Sequence, residues 1–180
     1  SDESRGLGDV YKRQIYVRIE LKGPGTEVPS LELVEKLGMV NQCSFASFNH
    51  ERVASIRKLR PQRKPDGSHQ YITGCLYNND IPYNFVEECA AIGATEIHLK
   101  YDTCTKERVA AIHDEGLRSM AWFRGPPGMK EDSSTKYLDV GNEDETMYLA
   151  VVNTGVMIMT VNKPDVLLNL LGKMQALHAQ

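Results

Sequence analysis

The sequence lacks several features that would place it in a specialised class. Its 180 residues include four cysteines, and none of them has the close pairing of a zinc knuckle or a redox Cys-x-x-Cys motif. No apolar run is long enough to cross a bilayer, and no Asn-x-Ser/Thr acceptor for glycosylation is present. These absences argue against a zinc module, a membrane-spanning protein and a secreted glycoprotein. They favour a cytoplasmic location without fixing it.

A strong excess of charge is also absent. The formal net charge is -3 and the isoelectric point is near 6.0, which argues against a nucleic-acid partner. The single concentrated basic run, residues 57–64, is predicted to be a solvated helix end and loop. With 41% hydrophobic residues, the chain can bury the core of one domain.

The first 14 residues show neither helical nor strand periodicity, and they lack the apolar block of a signal peptide. Residues 4–14 resemble translated adaptor sequence of the kind that contaminates transcriptome assemblies. We therefore expect residues 1–14 to be non-native or disordered and the native gene to begin further upstream. The folded domain is predicted to occupy residues 15–180.

Residues 15–22 alternate apolar and polar side chains, which predicts a strand with one apolar face. Glu20 and Lys22 share the opposite face at the carboxyl end of this strand, just before Gly23. Catalytic sites of barrels and open α/β sheets lie at that end. Taken alone, the stretch is more typical of an edge strand whose polar face meets water.

Extended and helical segments alternate along the rest of the chain. Helices are predicted to begin at Pro29-Ser30 and at residues 80–82, and Asn49 and Asn162 are predicted to cap the helices that follow them. Strands are predicted to begin at residues 15, 42, 71, 96, 118 and 156, which indicates repeated βα units and a parallel sheet. Polar side chains recur on one face near the strand ends, which fits a barrel mouth better than an open sheet; they are Arg18, Glu20, Lys22, His98, Lys100, Trp122 and Arg124. A complete (β/α)₈ barrel takes about 250 residues. The predicted fold is therefore an α/β partial (β/α)₈ TIM barrel of about six βα units.

Four segments occur in the order found in one enzyme family. They are residues 19–22 (Ile-Glu-Leu-Lys), 47–49 (Ser-Phe-Asn), 113–123 (a His followed by Glu-Gly-Leu and Ala-Trp-Phe) and 159–165 (Met-Thr-Val-Asn-Lys-Pro-Asp). Together they resemble the glycerophosphodiester phosphodiesterase family over essentially everything after Gln14. The resemblance implies a phosphoric diester hydrolase of lipid metabolism. Such an enzyme cleaves small-molecule glycerophosphodiesters to glycerol 3-phosphate and an alcohol.

The same resemblance implies roles for Glu20, Lys22 and Trp122. Arg124 lies where the chain departs from the family, which often has Thr-Val-Asn after this tryptophan, and its role is an expectation from its charge. Glu20 would be a ligand of a divalent metal, Ca²⁺ or Mg²⁺, and Lys22 would contact the substrate phosphate. Trp122 would line the substrate pocket, and Arg124 would contact phosphate or headgroup. The chemistry is suitable, because carboxylates hold hard cations and an ammonium group supplies a point charge for phosphate oxygens. The structural alternatives are an ion pair for Glu20 and a core position for Trp122.

The sequence also departs from the family. The family's catalytic His-Arg-Gly, its Glu-x-Asp metal pair and a later His-Asp do not precede Ile15. No catalytic residue is therefore assigned, and the chain as given is expected to be inactive, because one carboxylate holds calcium or magnesium poorly. His98 is expected to be structural, while His50 and His113 are expected on helix surfaces.

Two other functions remain open. One is a non-catalytic binding module derived from a barrel. The other is an unrelated phosphate-handling barrel enzyme in which Glu20 and Lys22 form an acid/base pair. The loop at residues 125–144, rich in acidic and small residues, is expected to be a mobile, solvated insertion under either interpretation.

Overall fold

The structure is a computed structural model that describes residues 16–123 and 143–178. Arg124, the N-terminal segment and nearly all of the predicted insertion lie outside these residues. The elements are β1 (Val17–Glu20), α1 (Glu27–Lys36), β2 (Cys43–Ser47), α2 (His50–Leu59), β3 (Ile72–Leu76), α3 (Phe85–Ala91), β4 (Glu96–Lys100), α4 (Lys106–Asp114), β5 (Arg118–Trp122), α5 (Glu145–Val152), β6 (Ile158–Thr160) and α6 (Pro164–His178).

The strands form one six-stranded sheet in the order β1-β2-β3-β4-β5-β6. The register of the β1–β2, β2–β3, β4–β5 and β5–β6 pairs is parallel. Each parallel neighbour follows its predecessor through a helical connection, as in a βα barrel. The prediction of an α/β partial (β/α)₈ barrel with six βα units is confirmed, and every predicted strand overlaps an observed one.

The chain groups into two compact units, residues 1–75 with 92–95 and residues 76–91 with 96–180. The core of the first unit lies between β1, β2 and their helices. Its buried members are Leu21, Leu31, Val34, Cys43, Phe45, Ile56 and Tyr71. Val17 and Ile19 pack against this cluster. The alternate side chains of β1 must therefore point to the face that the helices do not cover.

The predicted cap at Asn49 is confirmed, and Thr105 caps α4 in the same way. The side chain of Asn49 accepts a hydrogen bond from Glu51 N at 3.0 Å, and that of Thr105 accepts from Arg108 N at 3.3 Å. Each satisfies a backbone donor that the first helical turn leaves without a partner. The four cysteines are buried free thiols. Within the described residues, no helix combines the length and apolarity that a bilayer crossing requires.

Three helix starts differ from the prediction. Helix α1 begins at Glu27, ahead of the predicted start at Pro29, because proline is tolerated in a first helical turn. Helix α3 begins at Phe85, later than the predicted start at residues 80–82. Asn162 was predicted to cap α6, but the cap position is occupied by Lys163. The carbonyl of Lys163 accepts the first hydrogen bond of the helix, from Leu167 N at 3.3 Å.

The basic run at residues 57–64 is only partly solvated, which corrects the sequence interpretation for Arg57. Its residue surface is 9% exposed. Its Nε donates to Gly93 O at 2.8 Å, and its Nη2 donates to Tyr71 O at 2.9 Å and to Thr73 Oγ1 at 3.1 Å. The guanidinium therefore ties α2 to β3 and to the turn that follows α3.

Burial, together with the nearby charge of Arg63, lowers the pKa of Arg57 to about 10, so the group stays charged at neutral pH. Gly93 leaves the space that this side chain needs. A Cβ on Gly93 would lie 2.8 Å from Arg57 Cγ, and Gly93 has a positive φ of 74° that side chains disfavour. The glycine in this turn is therefore required by the buried side chain of Arg57, which packs where a Cβ would lie.

We expect Arg57→Ala to lower the free energy of unfolding by about 3 kcal/mol, because three acceptors, two of them in buried hydrogen bonds, lose a charged donor. Urea denaturation followed by circular dichroism measures the change. The matched control is Lys58→Ala, next to it on α2 and exposed, which should change stability by less than about 0.5 kcal/mol. Equal effects of the two substitutions would contradict a structural role for Arg57.

Glu35 on α1 accepts three hydrogen bonds within the first unit, the first from Arg60 Nε to its Oε1 at 2.5 Å. Arg60 Nη2 donates to its Oε2 at 2.9 Å, and Tyr71 Oη donates to its Oε1 at 2.7 Å. These hydrogen bonds, that of Arg60 first, lower the pKa of Glu35 to about 2. A carboxylate with a depressed pKa stabilises the fold above its unfolded pKa, and the contribution disappears as the pH falls through the folded value.

The stability advantage of the wild type over Glu35→Gln should therefore depend on pH. We expect an advantage of about 1 kcal/mol at pH 7, because partial solvent exposure screens the interaction. The advantage should shrink as the pH falls from 4.5, the ordinary value, toward about 2. Urea unfolding at a series of pH values tests this, and an advantage that is constant down to pH 2 would refute it.

Candidate functional site

Glu20 and Lys22 lie together at the carboxyl end of β1. Lys22 Nζ is 3.5 Å from Glu20 Oε2, and the two side chains are 76% and 37% exposed, lysine first. Leu21, between them, is buried against the helices. The pair thus occupies the uncovered face of the strand, as the alternation predicts, and water reaches both charged groups.

The backbone around this pair is fixed by hydrogen bonds within the first unit. Leu21 N donates to Ala46 O at 2.8 Å, and Ser47 Oγ donates to Leu21 O at 2.7 Å. Two residues further on, the carbonyl of Gly23 accepts from Thr26 Oγ1 at 2.8 Å. The chain therefore leaves the strand along a defined path, and the position of Lys22 is set by its backbone.

Glu20 does not by itself make a site for calcium or magnesium. Among residues 16–123 and 143–178, it belongs to no group of three or more potential metal ligands. The ammonium of Lys22, 3.5 Å from Glu20 Oε2, repels a cation. Hard divalent cations take six or more oxygen ligands, so the Glu20 carboxylate alone would hold such an ion poorly. The metal-ligand role of Glu20 and the phosphate-contact role of Lys22 stay predictions.

In the second unit, polar side chains meet at the carboxyl ends of β4 and β5. Lys100 and Trp122 are register partners on these strands. On β5, Ser119 Oγ lies 2.8 Å from His113 Nε2 of α4, so Ser119 faces that helix. Trp122 is three residues further along the strand, so its side chain points to the opposite face, away from α4. Trp122 is half-buried, and its Nε1 donates to Tyr77 O at 3.1 Å. The contact of His113 with Ser119 also shows that this histidine is more than a surface residue.

Two buried polar side chains lie below Lys100 on the same face of β4. His98 Nε2 is 2.8 Å from Glu96 Oε2, and both residues are fully buried. Glu96 also accepts a hydrogen bond from Arg118 at the start of β5. This arrangement agrees with the structural role expected for His98 and adds a buried carboxylate that sequence reasoning missed.

A second buried carboxylate that the sequence did not reveal is Glu143, which precedes α5. It accepts hydrogen bonds from Tyr148 Oη and from Asn162 N, both at 3.1 Å, and from the Asn162 side chain. Burial first, and then Glu143, raises the pKa of Tyr148 to about 12. Asn162 thus ties β6 to α5. Its partner is 19 residues away in sequence, so local patterns carried no signal of it.

Glu96→Ala should reduce the free energy of unfolding by about 3 kcal/mol, because it leaves His98 buried and Arg118 partly buried without their shared acceptor. Thermal and urea unfolding measure the loss. Glu115→Ala, exposed at the end of α4, is the matched control and should be nearly neutral. A Glu96 variant as stable as this control would remove the structural role assigned to the cluster.

Comparison with known proteins gives a likeness of fold. No protein-family model and no curated protein matches the sequence. A solved structure from Galdieria sulphuraria, assigned as a glycerophosphodiester phosphodiesterase, is 24% identical with a TM-score of 0.69, over 92% of this chain and 61% of that chain. The glycerophosphodiester phosphodiesterase of Parabacteroides distasonis is 16% identical with a TM-score of 0.64, over 97% and 63%.

A phosphodiesterase of Oleispira antarctica, solved in complex with its product sn-glycerol-3-phosphate, is 16% identical. Its TM-score is 0.62, over 92% of this chain and 59% of that one. The present chain thus spans 59–63% of the length of these three proteins. The resemblance drawn from short sequence motifs is confirmed at the level of the fold.

Proposed function

We propose that this chain forms part of the barrel of a metal-dependent glycerophosphodiester phosphodiesterase. Such a hydrolase of lipid metabolism would release glycerol 3-phosphate and an alcohol from a small-molecule diester. The fold likeness to phosphodiesterases supports the proposal. The single observation that carries it is the pairing of Glu20 with Lys22 on the uncovered face at the end of β1, because barrel enzymes perform their chemistry at that end of the strands.

Lys22 is suited to contact phosphate. Its ammonium is a compact charge on an exposed side chain, and it can stabilise the negative charge on a non-bridging oxygen of the diester. Trp122 and Arg124 are proposed as further substrate contacts. Glu20 would contribute one oxygen ligand to a Ca²⁺ or Mg²⁺ ion. That ion, when bound, would neutralise phosphate charge and would need several further oxygen ligands besides Glu20.

We further propose that the chain is a fragment of the enzyme and inactive by itself. In this proposal the family's His-Arg-Gly and Glu-x-Asp motifs are encoded upstream and supply the histidines that move protons. Reading the transcript upstream of residue 15 tests this, and both motifs are expected there. An authentic start codon without them would favour the non-catalytic binding module.

In the protein extended by these motifs, Glu20→Gln should reduce metal-dependent hydrolysis of glycerophosphocholine by roughly a hundredfold or more, because a charged metal ligand is lost. Release of glycerol 3-phosphate measures the rate at several metal concentrations. Glu32→Gln, exposed on α1, is the matched control and should retain full activity. Hydrolysis that persists without metal and depends on both Glu20 and Lys22 would instead support the acid/base enzyme.

A further inference from the structure

Three side chains at the carboxyl end of β4 form a hydrogen-bonded set that the proposed function does not yet use. We call Lys100, Asn79 and Asp102 the Lys100 group. Lys100 Nζ donates to Asn79 Oδ1 at 3.1 Å and to Asp102 Oδ2 at 2.9 Å. Only 17% of the lysine side chain is exposed. Its position is therefore held by two neighbours, unlike that of an ordinary surface lysine.

The Lys100 group lies beside Trp122. Lys100 and Trp122 are register partners on parallel strands, which are about 4.8 Å apart. The indole N–H of Trp122 donates to Tyr77 O, while Tyr77 N donates to His98 O of β4 at 2.9 Å. The ring thus extends from β5 toward a residue that is bonded to β4. A ligand that contacts Trp122 at the end of β5 would meet the Lys100 group next to it.

The charges at this position do not suit a quaternary ammonium ligand. Such cations bind to aromatic faces in surroundings that are neutral or negative. Here the carboxylate of Asp102 is already paired with the ammonium of Lys100, and Lys100 Nζ itself lies 5.7 Å from the centre of the Tyr101 ring. A choline group placed against Trp122 would meet another cation.

Hydroxyl groups suit the same position well. An ammonium has three N–H donors, and among the residues that the structure describes Lys100 finds acceptors for two of them. The amide nitrogen of Asn79 adds donors, and Asp102 has a second carboxylate oxygen as an acceptor. A hydroxyl both donates and accepts, so an alcohol with several hydroxyls can satisfy the donors and the acceptor together.

We infer that Lys100, held by Asn79 and Asp102 beside Trp122, selects an uncharged, hydroxyl-rich alcohol as the leaving group of the diester and disfavours a quaternary ammonium alcohol. This inference rests on the proposed function and narrows its substrate class. Lys100 is a specificity-determining residue that contacts the alcohol. It takes no part in bond cleavage.

Titration of the 180-residue chain tests the inference, because Trp122 is its sole tryptophan and its fluorescence reports on this position. Glycerophosphoinositol should bind roughly tenfold more tightly than glycerophosphocholine, the effect of one charge-assisted hydrogen bond. Calorimetry with the same two diesters and with glycerol 3-phosphate measures binding independently of the fluorescence. In Lys100→Met, which keeps length but removes the donors and the charge, the preference should fall below about twofold.

Lys173→Met is the matched control. It also removes a lysine paired with a carboxylate, Glu145, at 2.9 Å, but on the exposed surface of α6, and it should leave the preference intact. Circular dichroism confirms that the variants are folded. Equal or tighter binding of glycerophosphocholine, or a tenfold preference that survives Lys100→Met, would overturn the inference.

The calorimetric arm separates this inference from the proposed function. If glycerol 3-phosphate binds and the two diesters bind equally, the role of Lys100 fails while the phosphodiesterase proposal stands. If neither glycerol 3-phosphate nor either diester binds, the inference fails, because Lys100 then contacts no alcohol, whereas the phosphodiesterase proposal is decided separately by hydrolysis in the extended protein.

Discussion

The alternation of side chains along β1 is the constraint on which the candidate site depends. Val17, Ile19 and Leu21 pack beneath the helices of the first unit, so Glu20 and Lys22 must face the other way. A slip of one residue would bring a carboxylate and an ammonium into an apolar core at a cost of several kcal/mol. The packing that stabilises this unit therefore also fixes which groups a ligand can meet at the end of the strand.

The sequence contained enough local information to predict the strands and much of the site. Buried strands have continuous or alternating apolar patterns, and Asn49 and Thr105 precede their helices with short side chains that can accept from the first turn. Glu20 and Lys22 are two residues apart, so strand geometry alone brings them together. These features were predictable because their physical causes lie within a few residues.

Contacts between distant residues could not be predicted in this way. Arg57 resembles its solvated neighbours in sequence, and its burial depends on acceptors such as Gly93 O, 36 residues away. Glu96 accepts a hydrogen bond from Arg118, which is 22 residues away in sequence, and Lys100 donates one to Asn79, which is 21 residues away. A charged residue is buried only where the tertiary fold supplies its partners, and no local pattern records whether it will.

The polar side chains of β4 differ in burial along the strand. Glu96 and His98, at its amino end and middle, are sealed inside and serve the fold, whereas Lys100, at its carboxyl end, meets solvent and Asp102. Substitutions at the open end leave the sealed contacts in place, since parallel strands carry their hydrogen bonds independently of the last side chain. Substitutions at the carboxyl end of β4 can therefore change ligand preference while the buried contacts of Glu96 and His98 stay intact. Separation of this kind allows one barrel scaffold to serve many substrates.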